Sequence, residues 1–153
     1  MAHQAYHIIC TTHERARWFD SPALARILIR EMRGLHEKGN VDSLAWGLMP
    51  DHLHRLLVLQ TEQNLSTVIK LLKGRSARLI NTHLQRTGQI WQKGFYDHAL
   101  RVEEDLPAIA RYIMANPIRA GLVHCVGDYP WWDAVWLDRI KLQVGSSRPY
   151  RCS

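Results

Sequence analysis

Two histidines two residues apart, His52 and His54, open an apolar run of strand length, Met49-Pro50-Asp51-His52-Leu53-His54-Arg55-Leu56-Leu57-Val58-Leu59. Side chains alternate faces along a strand, so the two imidazoles point one way and Leu53 the other. Two imidazoles side by side on a rigid floor make half of a site for a metal ion. Taken alone, such a pair is more often two half-exposed histidines. A second pair, Tyr112 and Asn116, has the four-residue spacing that brings side chains onto one face of a helix. A third feature is charge. From Asn64 to Arg101 the chain carries Lys70, Lys73, Arg75, Arg78, Arg86, Lys93 and Arg101 against Asp97 alone. A solvated helix face usually mixes signs, so a one-sided run fits a phosphate-binding surface, with plain solubility as the bland alternative. Trp91, Tyr96 and Trp131 have rings that could stack on unpaired bases, or that could simply fill a core.

Those residues need elements to hold them. Ala5-Tyr6-His7-Ile8-Ile9-Cys10-Thr11-Thr12 is rich in β-branched and aromatic residues and reads as a first strand. Ser21 can cap a helix and Pro22 suits its first turn; Leu24, Ile27, Leu28, Met32 and Leu35 then keep helical spacing until Gly39-Asn40. Val41 to Leu48 is a second strand, joined to the His-bearing one by a short turn at Met49-Pro50-Asp51. A second helix begins near Asn64 or Ser66 and ends around Gly88, with Leu65, Val68, Ile69, Leu72, Leu79 and Ile80 as its apolar side. Ile90 to Gly94 is a loop or short extended piece, and Phe95 to Arg101 a fourth strand. Glu103, Glu104 and Asp105 crowd the positive end of a third helix; Pro107 suits its first turn and Pro117 forbids continuation. The order β-α-β-β-α-β-α is the split β-α-β plan. It is an α+β, ferredoxin-like fold: a four-stranded antiparallel sheet with helices packed on it, plus an additional C-terminal helix. In that plan the His strand lies inside the sheet.

Composition sets the outer bounds. The chain has 153 residues and a formal net charge of +6, which favours a polyanionic partner. No apolar run approaches the roughly 20 residues that span a bilayer. The first residues lack the basic-then-apolar plan of a signal peptide. The three cysteines, Cys10, Cys125 and Cys152, are odd in number and far apart, which fits a reducing cytoplasm. One domain over residues 1–144 with a polar, flexible tail at 145–153 is expected.

Four segments together carry a resemblance: Tyr6-His7-Ile8-Ile9; Met49-Pro50-Asp51-His52-Leu53-His54; Gly88-Gln89-Ile90-Trp91-Gln92-Lys93-Gly94-Phe95-Tyr96-Asp97-His98; and Arg111-Tyr112-Ile113-Met114-Ala115-Asn116-Pro117-Ile118-Arg119-Ala120-Gly121-Leu122-Val123. Over about residues 5–132 the chain resembles the single-tyrosine (Y1) HUH transposases, and among them the REP-associated tyrosine transposases. The third and fourth segments are the specific ones. The resemblance implies that His52 and His54 are metal ligands, that Asn116 completes the metal site, and that Tyr112, on the added helix, is the nucleophile. It implies magnesium or manganese as the ion and single-stranded DNA bearing palindromic, REP-like hairpins as the partner. The implied activity is hairpin-specific cleavage and strand transfer through a 5′-phosphotyrosine, leaving a free 3′ hydroxyl. Lys70, Lys73, Arg75, Arg78, Arg86, Lys93, Arg101, Arg119 and Trp91 are the candidate DNA contacts. A bacterial, nucleoid-associated protein is expected, monomeric in preference to a homodimer. Two departures stand out. Arg55 occupies a position commonly apolar in the family, so either that face is less buried there or Arg55 reaches solvent or DNA. Trp131-Trp132 replaces the more usual Trp-Ser.

The chemistry suits these residue types. A phenol is a poor nucleophile near neutral pH, with an ordinary pKa of about 10, and a neighbouring cation favours its reactive anion. A covalent ester divides one hard displacement into two easier ones. Two other classes compete: a hairpin-binding protein that has lost cleavage, and a metal-dependent hydrolase of small substrates. The hydrolase is disfavoured by the basic segment and by the absence of an HExxH-type base.

Overall fold

The computed structural model describes residues 4–39, 41–60, 64–101 and 105–134. Glu103, Glu104, the boundary at residue 144 and the polar tail therefore lie outside the described residues. The elements are β1 (Ala5–Thr11), α1 (Pro22–Glu37), β2 (Val41–Met49), β3 (His52–Leu59), α2 (Leu65–Leu84), β4 (Tyr96–Ala99), α3 (Leu106–Met114), α4 (Asn116–Arg119) and β5 (Trp132–Ala134).

The sheet is antiparallel, with strand order β4-β1-β3-β2-β5. Its first four strands follow the ferredoxin-like plan, and β3 lies inside as expected. The expected count of four strands is corrected to five among the described residues. The added strand, β5, is only three residues long and pairs with β2 (Gly47 opposite Trp132). So short a segment has no period to read; the free edge of β2 specifies it.

Local signals set the element ends. Ser21 Oγ accepts from the Leu24 amide, Asn64 Oδ1 from the Thr67 amide and Asp105 Oδ1 from the Ala108 amide, each satisfying an otherwise orphaned N–H in a first helical turn. At Pro117 the expectation is revised. α3 ends at Met114, but the chain resumes as α4 with Pro117 in its first turn, where the missing N–H costs nothing. Tyr112 and Asn116 thus belong to two successive helical segments and not to one.

The two faces of the sheet differ. Leu53, Leu57 and Leu59 of β3 join Ile8, Cys10 and Leu48 in the larger core, which α1 and α2 cover. Ala45 and Leu56 lie on the other face, under Ala110, Ile113 and Met114 of α3. His52 and His54 share that second face by strand alternation.

Arg55 points into the α1–α2 core and is fully buried, which excludes both alternatives raised by the sequence. None of its three guanidinium nitrogens has a hydrogen-bond partner among the described residues. Burial pulls its pKa down to about 10, and the same core pushes the Cys10 thiol up to about 11. An unpaired buried charge opposes folding, and an apolar side chain of similar length removes the penalty. Arg55→Met is therefore expected to raise the thermal midpoint by about 3–10 °C, corresponding to roughly 1–4 kcal/mol for a domain of this size. A lowered midpoint in thermal denaturation would show that the guanidinium has a stabilising partner.

Candidate active site

The two-residue turn Pro50–Asp51 delivers His52 directly into β3, opposite Met49 on β2 and Thr11 on β1. His52 and His54 stand with ring centroids 5.0 Å apart and planes at 71°. In each ring Nδ1 is engaged. Nδ1 of His52 lies 2.7 Å from Asp51 Oδ1, and Arg15 Nε holds the other oxygen of that carboxylate at 3.0 Å. Nδ1 of His54 lies 3.1 Å from Nε2 of His7, which reaches diagonally across from β1. Burial, then the neighbouring His52, His7 and Arg119, push the His54 pKa down to about 3. Burial and His98 lower that of His7. Both rings are neutral near pH 7, the form in which an imidazole accepts a hydrogen bond or ligates a metal.

The second layer approaches closely at one point. Gly47 lies opposite His54, and a Cβ built there would stand 3.1 Å from Ile113 Cγ2 and 3.4 Å from the Ile113 carbonyl oxygen. Glycine thus lets α3 settle on the sheet beside the histidines. Ile113 is buried and Ile109 packs against the same cluster, as their spacing implies. Asn116, the first residue of α4, brings its Nδ2 to 3.3 Å from His52 Nε2. Half a turn of the amide would offer its oxygen to the same place. Tyr112 is 56% exposed, and the Arg119 guanidinium lies over its ring, 3.8 Å from the centroid.

Among the described residues, no group of three or more His, Cys, Asp and Glu side chains converges as a metal cage. The donors that do meet are imidazole and amide. With Nδ1 of both histidines engaged elsewhere, their Nε2 atoms and the Asn116 amide oxygen are the atoms left to offer, a donor set whose chemistry fits a divalent ion.

The basic residues divide differently. α2 lies on the sheet face opposite the histidines. Lys70 and Arg78 are exposed there, but Arg75 is bound to Glu31 at 2.7 Å. Lys73 donates to the carbonyls of Gln92 and Gly94, pinning the loop after α2. Arg86 bonds Asn81 and lies over Trp18. Lys93 and Arg101 are exposed near β4. Arg119 reaches the histidine face, where it lies over Tyr112 and near His54. Trp91 is corrected from a DNA contact to a core residue: it is 5% exposed, packs on Phe19, and donates its indole N–H to Ser76 Oγ. Tyr96 does stand exposed, on the histidine face of β4.

Asp51 and His7 escaped the sequence reading as site residues. Asp51 had a local signal, its adjacency to His52; the His7 contact depends on the β1–β3 register.

A family model described as "Transposase IS200 like" matches residues 1–116, so the chain belongs to the IS200-like, or Y1, transposases. Within that family it is similar to REP-associated tyrosine transposases. A Haemophilus influenzae protein assigned that name is 31% identical over 100 residues, which cover 59% of this chain and 57% of that one. Its Escherichia coli namesake is 31% identical over 88 residues, 57% of this chain and 50% of the other. The chain thus spans about half the length of the curated relatives it matches. A solved REP-associated tyrosine transposase, bound to a REP hairpin, aligns over all of this chain and 87% of its own, with a TM-score of 0.74 at 20% identity. A solved Deinococcus radiodurans protein described as a transposase aligns over 76% of this chain and 92% of its own, with a TM-score of 0.55 and 25% identity.

The depressed His54 value has a measurable sign. Above its ordinary pKa of 6.5 the histidine is neutral whether folded or unfolded. Below that, the unfolded chain takes up a proton that the folded site refuses, so stability is lost as pH falls from about 6.5 towards 3. The slope reaches about 1.4 kcal/mol per pH unit for one such group, with His7 adding in the same direction. Urea unfolding in the presence of a chelator at pH 7, 6 and 5 is expected to show this decline, and His54→Gln to flatten part of it. A pH-independent stability would contradict the burial.

Proposed function

We propose that this protein is a metal-dependent endonuclease and strand transferase for single-stranded DNA carrying palindromic hairpins, with Tyr112 as nucleophile. The observation that carries the reading is the contact between Asn116 and His52, which sets the start of α4 against the imidazole strand. Family membership supplies the reaction class. The hairpin substrate follows the solved relative bound to one.

His52, His54 and Asn116 would hold magnesium or manganese; when bound, that ion supplies charge to polarise the scissile phosphate. Asp51 and the sheet keep the His52 ring fixed. The phenol of Tyr112 loses its proton to solvent, and its oxygen bonds to phosphorus as the bond to the 3′ oxygen breaks. The leaving oxygen takes up a proton, giving a free 3′ hydroxyl and a DNA 5′ end esterified to Tyr112. Attack by another 3′ hydroxyl reverses the step and rejoins strands with no nucleotide cofactor. Arg119, stacked on the tyrosine ring, supplies positive charge where the phosphate enters. Exposed Lys70, Arg78, Lys93 and Arg101 offer phosphate contacts away from the chemistry, and a monomer is favoured over a homodimer. A bacterial, nucleoid-associated location accords with such a substrate.

Incubation with labelled hairpin-bearing single strands and Mn2+ is expected to give a protein–DNA band resistant to denaturation, absent from Tyr112→Phe and from His52→Ala. Binding without such a band under any divalent ion would support a hairpin-binding protein that has lost cleavage. Failure to bind any nucleic acid, with hydrolysis of small esters, would support the hydrolase.

Affinity for the hairpin strand is expected to fall roughly 10- to 100-fold between about 50 and 200 mM salt, as a handful of phosphate contacts release counterions. A salt-independent affinity in fluorescence anisotropy would remove the basic residues from the interface.

A further inference from the structure

A neutral imidazole has one N–H and one lone pair, so whatever occupies one nitrogen decides what the other can do. His52 is fixed by the Asp51 carboxylate. Among the described residues no carboxylate bonds the Nδ1 of His54; it has Nε2 of His7 at 3.1 Å. We propose that His7 is the positioning residue of His54, accepting its Nδ1–H and so reserving the His54 Nε2 lone pair for a divalent cation.

The geometry is constrained from several sides. His7 stands on β1 opposite Leu56, one pleat along from the Ile9–His54 pair, so its ring reaches His54 on the diagonal. The two rings stack with centroids 5.4 Å apart and planes at 25°. On its other side His7 meets the Tyr96 ring edge-on, with centroids 6.3 Å apart. His7 spends its Nε2 on His54 Nδ1, and the three histidines do not converge as a cage, which separates its role from that of a ligand. As acceptor at Nε2, His7 carries its own hydrogen on Nδ1. The two candidate ligands are thus oriented by chemically different partners. One is a carboxylate; the other is a neutral ring that fixes direction alone. The inference rests on the metal reading given above.

Calorimetric titration of the full-length protein with Mn2+ tests it without reference to catalysis. His7→Leu, which fills space but cannot accept, is expected to weaken Mn2+ binding about 10- to 100-fold. His7→Gln, whose amide oxygen can accept, should restore most of the affinity. His52→Ala and His54→Ala serve as references. If neither lowers Mn2+ affinity, the metal reading itself fails. If both abolish binding while His7→Leu binds like the parent protein, the inference alone is overturned. A His7→Gln protein as weak as His7→Leu would reduce His7 to packing. Independently of any variant, long-range 1H–15N correlation on the metal-free protein should find the His54 hydrogen on Nδ1; finding it on Nε2 would overturn the assignment.

Discussion

The site depends on how closely a helix can approach a sheet. Ile113 of α3 rests where Gly47 has no side chain, and a methyl group there would be met at 3.1 Å. That contact lies opposite His54 on the neighbouring strand. The same descent carries the chain through Ala115 into α4, whose first residue reaches His52. Protein interiors do not stretch to absorb a missing or added carbon. The absence of one Cβ in β2 therefore leaves room for Ile113 opposite His54.

The molecule separates tasks by sheet face. The larger core, with α1 and α2, buries leucines and carries Lys70 and Arg78 on its outer surface. The opposite face holds four histidines in a row across three strands: His52 and His54 on β3, His7 on β1 and His98 on β4. Several of the basic residues support the architecture itself. Lys73 pins a loop by its carbonyls, Arg86 is held by Asn81 and Trp18, and Arg75 joins the two helices of the large core through Glu31. A charge run in a sequence thus mixes groups open to a polyanion with groups already committed.

Much of this was legible in the chain. Strand alternation gave the shared face of His52 and His54; a cap at Ser21, a start near Asn64 or Ser66 and the acidic cluster ending at Asp105 gave the helix starts. The split β-α-β order placed β3 inside the sheet. What stayed hidden needed register or layer. The His7–His54 contact exists because Ile9 pairs with His54; a different offset would part the rings. The side of the sheet taken by α2 follows from both crossover helices covering one face, a property of topology that residue counting does not express. Arg55 was flagged by its type, but nothing local told that its guanidinium would be sealed among apolar groups. Trp91 illustrates the converse: an aromatic beside lysine looks like a base platform until the Ser76 hydroxyl accepts its N–H. At Pro117 the rule that proline ends helices met the rule that proline begins them, and both hold, three residues apart.

The hairpin between β2 and β3 closes through only Pro50 and Asp51, while the one irregularity in their pairing lies at the far end, around Leu44. That division has an evolutionary consequence. Insertions near Leu44 leave the parity of His52 and His54 untouched, whereas one extra residue at the turn would exchange inside for outside along β3. The imidazoles would then face α1 and α2, and Arg55 would emerge beside α3. Length change should therefore be tolerated at one end of this hairpin and forbidden at the other, though both ends are equally part of the sheet.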